Sequence, residues 1–135
     1  MQQINKQTYL FNLKIGDFIM RKQILTLAAL QSIAALNPEG FTIDKNTLQP
    51  ITKGFAVAVA DTQNSFDVSG AKKVIKYAKG NKQINAVGGW LNSENGKYYF
   101  DAVIVCNTLE EAIILGKANK QIAIFNLNTL EEIRL

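Results

Sequence analysis

Histidine is absent from the 135-residue sequence, and cysteine occurs once, as Cys106. Without histidine the chain lacks the side chain that most often acts as a general base near neutral pH, orients catalytic nucleophiles and binds metals through nitrogen. A single cysteine excludes an intramolecular disulfide and a zinc site built from several thiolates of this chain. We expect Cys106 to be a small buried apolar residue. We also expect no metal and no cofactor, and an enzyme is the least favoured class.

The sequence also lacks an apolar run long enough to cross a bilayer, which takes about 20 residues. The best candidate, residues 24–30, is followed directly by Gln31 and Ser32. Because Met20, Arg21 and Lys22 come just before it, the segment superficially resembles a secretory signal. Since Met20 lies 19 residues after the first residue, we favour a buried amphipathic helix. The expectation is a cytoplasmic protein without a membrane partner.

The composition is that of a folded globular protein. Apolar residues make up 47% of the chain and charged residues 19%, far from the proportions of disordered chains. We divide the chain into an N-terminal extension or arm, residues 1–19, and a single α+β domain, residues 20–135. The net charge of +4 favours weak attraction to polyanions and by itself decides no function.

Apolar periodicity, capping residues and turn residues predict a regular order of helices and strands. The predicted elements are a helix over 22–36, strands over 41–44 and 54–60, a helix over 69–80 with Ser69 as N-cap, strands over 84–90 and 98–105 joined by a hairpin loop, a helix over 108–118, and strands over 121–127 and 132–135. The pair Asn95-Gly96 supports the hairpin, because both residues tolerate positive φ. Thr108 and Glu111 match a capping box, in which each side chain accepts from the other residue's amide.

A short internal repeat divides the predicted core into two halves. Asn81-Lys82-Gln83-Ile84 returns 38 residues later as Asn119-Lys120-Gln121-Ile122, each time between a helix and the next strand. Two explanations are equally good: the segment was duplicated, or the same residues were used independently to end two helices. In both cases the order is β-α-β-β-α-β. We therefore predict a ferredoxin-like core, an antiparallel sheet with two helices on one face, with an extra N-terminal helix.

The second face of that predicted sheet is too apolar to be left open to water. Strand alternation places Tyr99, Asp101 and Val103 on one face of their strand, opposite an equally apolar set. We expect the N-terminal helix over 22–36, or a second subunit, to cover the face that the two later helices leave bare. The candidate interaction residues are Leu27, Leu30, Trp90 and Tyr99.

Several short stretches resemble small uncharacterised proteins and domains of gut bacteria, their phages and their mobile elements. The stretches are Gly54-Phe55-Ala56-Val57-Ala58, Val87-Gly88-Gly89-Trp90, Gly96-Lys97-Tyr98-Tyr99-Phe100-Asp101 and Asn119-Lys120-Gln121-Ile122-Ala123-Ile124-Phe125. The resemblance covers residues 38–135 and implies a stand-alone copy of a module that also occurs within larger phage-related polyproteins. It carries no established activity, and no catalytic residue is transferred from it.

Lysine is concentrated on one predicted helix and just after it. These five lysines are Lys72, Lys73, Lys76, Lys79 and Lys82. A solvated helix face whose last lysines suit the helix dipole is the plainer interpretation, and a nucleic-acid-binding surface is the functional one. Aromatic residues of the hairpin could stack bases, but Asp101 beside them would repel phosphate.

Three functions follow in order of preference. The first is a non-catalytic protein-interaction or assembly module of phage or mobile-element type, with a protein partner or a homo-oligomer. The second is a nucleic-acid-associated protein that uses the lysine helix. The third is a small-ligand-binding regulatory domain.

Overall fold

The computed structural model describes residues 24–135, and the arm predicted over residues 1–19 lies outside them. The described chain is an α+β protein with three helices and one antiparallel sheet of seven strands. The helices are α1 (Leu27–Leu36), α2 (Asp67–Gly80) and α3 (Leu109–Ala118), and the strands are β1 (Phe41–Asp44), β2 (Phe55–Ala58), β3 (Ser65–Phe66), β4 (Ala86–Asn92), β5 (Lys97–Cys106), β6 (Ala123–Asn126) and β7 (Glu131–Arg134). A 3₁₀ turn, Ala60–Thr62, lies between β2 and β3.

The strand order is β1-β4-β5-β2-β6-β7, and β3 pairs with β5 beyond the end of β2. This order differs from that of a plain four-stranded sheet, because β1, β3 and β7 extend it. β1 joins through its pairing with β4, from Phe41 opposite Gly89 to Asp44 opposite Ala86. β7, which corresponds to the strand predicted over 132–135, pairs with β6. The α+β class is therefore confirmed, and the sheet is larger than predicted.

All three helices pack on one face of the sheet. Leu30 and Ile33 of α1 share a buried cluster with Val74 of α2 and with Val87 and Phe100 of the sheet. The second part of that face is covered by α3, whose Ala112 lies in a cluster with Val57 and Ile124. The expectation that the first helix covers the opposite face is therefore wrong. The apolar side of α1 packs against α2 and the β1-β4 edge of the sheet. Helical periodicity shows that a helix has an apolar side, but not which face of the sheet that side packs on.

The opposite sheet face carries a smaller apolar cluster. Ala56, Val103 and Phe125 point to this face and are buried together with Leu127. Partly buried loop residues Ile51 and Leu130 pack at the same place. The face is thus covered in part by loop residues from the ends of the sheet, and no described helix lies on it.

Local hydrogen bonds explain where the helices begin and end. Thr108 Oγ1 accepts from the amide of Glu111 at 3.2 Å, as the capping box predicted, but the Glu111 carboxylate accepts from the Thr108 hydroxyl rather than from its amide. Ser69 does not cap α2, because that helix begins at Asp67. In the two matched helix exits, Asn81 and Asn119 each donate through Nδ2 to the carbonyl four residues earlier, at 2.8 and 3.0 Å. The asparagine of the repeated tetrapeptide therefore makes the same side-chain-to-backbone hydrogen bond at the end of both helices.

Candidate functional site

A groove of about 560 Å³ separates α2 from α3 on the helical face of the sheet. Its floor comes from Ile84 and Ile104, and Cys106 lies at one side. Pockets of this size fall within the range that proteins use for binding small molecules or the side chains of a partner.

The α3 wall of the groove exposes an apolar side chain. Ile113, Ile114 and Leu115 are consecutive, so one helix cannot bury all three against the sheet. Ile113 and Leu115 are partly buried, whereas Ile114 is 72% exposed at the rim. The signal in the sequence is three adjacent apolar residues in a short predicted helix, and Ile114 was not among the interaction residues predicted from the sequence.

The exposed face of α2 beside the groove is strongly basic, although Tyr77 is the α2 residue that lines the groove itself. The five lysines singled out in the sequence, Lys72, Lys73, Lys76, Lys79 and Lys82, are all exposed. Lys45 approaches the same helix from β1 and donates through Nζ to the carbonyls of Ala78 and Asn81, at 2.9 and 3.1 Å. Lys45 thus satisfies two carbonyls at the end of α2, and the five exposed lysines place a concentrated positive charge on the surface of this region.

The α3 wall begins with acidic residues. Glu110 and Glu111 occupy the first turn of the helix, where negative charge is favoured by the helix dipole, and both are exposed. Glu111 also lines the groove beside Cys106. Burial, with a contribution from the charge of Glu111, raises the pKa of the Cys106 thiol. The thiol is therefore less reactive than an ordinary one, in line with the expected role of Cys106 as a packing residue.

A polar link closes one end of the groove. The Tyr77 hydroxyl donates to Oδ2 of Asp61 at 2.9 Å, and this hydrogen bond, followed by burial, raises the pKa of Tyr77. Asn119 Oδ1 accepts from the amide of Ala60 at 3.0 Å, which ties the end of α3 to the same 3₁₀ turn. Both helices are thus hydrogen-bonded to the same 3₁₀ turn at one end of the groove.

The structure separates the interaction residues suggested by the sequence. Leu30 is completely buried in the core, so it offers no surface to a partner. Leu27 is partly buried against the same cluster. Trp90 and Tyr99 stack on one another, with ring centroids 5.1 Å apart, on the sheet face opposite the helices. The four residues therefore do not form one surface.

Two features are absent from residues 24–135. No helix among them is long and apolar enough to cross a membrane. Within the same range, no three acidic or cysteine side chains come together as a metal-binding group.

Comparison with known proteins yields no relative. No protein family matches the chain, and neither characterised proteins nor solved structures show significant similarity to it. The resemblance to phage and mobile-element modules therefore stays a prediction.

Proposed function

We propose that this chain is a non-catalytic protein-interaction module that associates with a second copy of itself through the α2–α3 face. The observation that carries the proposal is the groove itself, which has an exposed isoleucine at its rim, the lysine-rich exposed face of α2 beside it on one side and the acidic start of α3 on the other. A surface of this kind complements itself when a twofold axis turns one copy onto another.

Charge supports this arrangement. In a twofold dimer with antiparallel groove faces, α2 of one copy lies against α3 of the other, and the contact occurs twice. Lys72 and Lys76 of each copy then face Glu110 and Glu111 of the other. Complementary charges of this kind fix register and speed association more than they add affinity.

The exposed apolar surface supplies the affinity. Burying one isoleucine side chain contributes about 1.5 to 3 kcal/mol, and a twofold contact buries Ile114 of both copies. The groove of each copy also offers Ile104 and Leu115, which are only partly covered within the monomer. This amount of apolar burial suits a dimer that exchanges with the monomer.

We further propose that the inner part of the sheet is a ferredoxin-like core. Supporting this, β4, β5, β2 and β6 are neighbours in that order, every pairing is antiparallel, and α2 and α3 connect the strands in β-α-β-β-α-β sequence. An origin in phages or mobile elements is part of the same proposal, and the sequence motifs are its support.

The oligomeric state tests the interaction. Light scattering at increasing protein concentration should show the apparent mass rising from monomer to dimer. Replacing Ile114 with glutamine should weaken the dimer about tenfold or more, since it removes two apolar contacts per dimer.

Ile122 provides the matched control, because it is 71% exposed, close to the 72% of Ile114, but lies outside the groove. Ile122→Gln should leave association unchanged. A wild-type mass that stays monomeric at all concentrations, or equal effects of the two substitutions, would contradict the proposal.

A second candidate is binding of nucleic acid, which the five exposed lysines of the α2 region favour. It predicts salt-sensitive retention on DNA or RNA that falls in the double variant Lys72→Glu, Lys76→Glu. It also predicts tighter retention when Glu110 and Glu111 become lysine, whereas that variant should lose self-association. The two functions thus respond in opposite directions to one pair of substitutions.

A further inference from the structure

A second cavity, of about 330 Å³, lies on the sheet face that carries no described helix. It forms where the pairing of β5 changes partner, since β2 ends at Ala58 and β3 starts only at Ser65. The gap in the ladder is filled by Thr62, whose Oγ1 accepts from the amide of Ala102 at 3.0 Å. The backbone is therefore satisfied, and space remains between β5 and β6.

One wall of the cavity is aromatic and held in place by neighbouring groups. Phe66, Tyr99 and Trp90 stand side by side on three adjacent strands. Tyr99 stacks on Trp90 at 5.1 Å and contacts Phe66 at 5.4 Å, and its hydroxyl accepts from Asn95 Nδ2 at 2.9 Å. Trp90 and Tyr99 both line the cavity, so a ligand would meet a preorganised aromatic surface.

The charged groups that line the cavity are acidic. Asp101 lies two residues along β5 from Tyr99, on the same face, and Glu132 approaches from β7. Opposite Asp101 on β4 is Gly88, which has no side chain to pair with the carboxylate. Among the residues that the structure describes, no lysine or arginine lines this cavity. Both charged side chains on this cavity are therefore carboxylates, which favours a positively charged ligand.

Lys97 does not supply that cation. Its Nζ lies 4.1 Å from the centroid of the Phe66 ring. Phe66 is at the far end of the aromatic row from Trp90, and Lys97 is not among the residues that line the cavity. The contact shows that this aromatic row already binds one cation of its own chain at its outer end.

We propose that the cavity binds a small organic cation with a planar head, such as an aryl guanidinium or a heteroaromatic cation, between the Trp90–Tyr99 wall and the Asp101 carboxylate. The flat head lies along the aromatic wall, and its N–H groups donate to Asp101. An anion is repelled by the Asp101 carboxylate, and a neutral ligand loses the charge-assisted hydrogen bonds. This ligand site is independent of the α2–α3 groove, because it lies on the opposite face of the sheet.

The test uses three probes of similar shape and different charge: phenylguanidinium, the neutral phenylurea and the anionic benzoate. The chain contains one tryptophan, so its fluorescence reports on Trp90 alone. Titration of the full chain with phenylguanidinium should change that fluorescence saturably. Phenylurea should bind about tenfold more weakly or worse, and benzoate should not bind.

Substitutions then locate the site. Asp101→Asn should weaken phenylguanidinium binding at least about tenfold and reduce its preference over phenylurea, while Glu39→Gln, at an exposed position on another part of the surface, should change neither. Circular dichroism checks that each variant is folded. If the fluorescence of Trp90 does not change on titration, the NMR chemical shifts of Ala58 and Val103 report on binding instead. Equal binding of phenylguanidinium and phenylurea, no saturable binding, or unchanged binding by folded Asp101→Asn would overturn the proposal.

Discussion

Asp101 should make the stability of the protein depend on pH in a way opposite to most aspartates. Burial in the β5 strand raises the pKa of its carboxyl from 3.8 to about 6. In the unfolded chain the pKa returns to its ordinary value, so between about pH 4 and pH 6 the folded protein holds a proton that the unfolded chain has lost. The free energy of unfolding therefore falls as the pH rises through this window, and it stays low above it.

The size of the effect follows from the two pKa values. Their difference corresponds to about 3 kcal/mol of stability lost between the low and high ends of the window. Replacing Asp101 with asparagine removes the titration while keeping the shape of the side chain. The variant should equal the wild type near pH 4 and exceed it by up to about 3 kcal/mol near pH 7.

Urea unfolding at a series of pH values, followed by the fluorescence of Trp90, measures this difference. Subtracting wild type from variant cancels the titrating groups that do not interact with Asp101. A stability difference between Asp101→Asn and wild type that does not change from pH 4 to pH 7 would refute the reasoning.

The remaining predictions concern packing and hydrogen bonds. Thr62→Val should cost about 1 to 3 kcal/mol in urea unfolding, because it leaves the buried amide of Ala102 without its acceptor, and a neutral result would contradict the bridging role of Thr62. Gly89→Ala should cost about 1 to 3 kcal/mol, since a Cβ there would lie 2.7 Å from Cζ of Phe41 and 2.8 Å from Cε1 of Tyr98. Gly80→Ala, where nothing lies within 4 Å, is the matched control and should leave stability unchanged or higher. Thr108→Ala should destabilise by about 1 kcal/mol through loss of the α3 cap, and thermal melting that shows no loss would count against that cap.

Much of the local structure could be predicted from the sequence, because it is decided by neighbouring residues. The hairpin with Gly96 at φ +72°, the cap at Thr108 and the strand β1 are all local features, and all are confirmed. The repeated asparagine at the helix exits likewise makes a bond within four residues.

Other features depend on contacts between distant segments. β3 has two residues and exists only through its pairing with β5, so no periodicity could reveal it. The side of the sheet on which α1 packs depends on α2, since each sheet face is apolar enough to attract a helix. Leu30 illustrates the result, because the side chain proposed for a surface is completely buried.

The candidate sites show the same division. The sequence identified the lysines of α2 from their density, and the structure shows them exposed. Ile114, Glu110 and Glu111 became relevant only when the groove placed α3 beside α2. Asp101 was a lone acid in an apolar strand, and its cavity exists only because β2 and β3 leave a gap beside β5.

Mixing two charge-reversed variants tests the central claim most directly. One variant carries Lys72→Glu and Lys76→Glu, and the other carries Glu110→Lys and Glu111→Lys. In a homodimer of either variant like charges meet across both contacts, whereas in the mixed dimer opposite charges meet at both. Sedimentation of each variant alone should give monomer, and the equimolar mixture should give dimer; a mixture that remains monomeric while the wild type dimerises would contradict pairing of α2 with α3 across the interface.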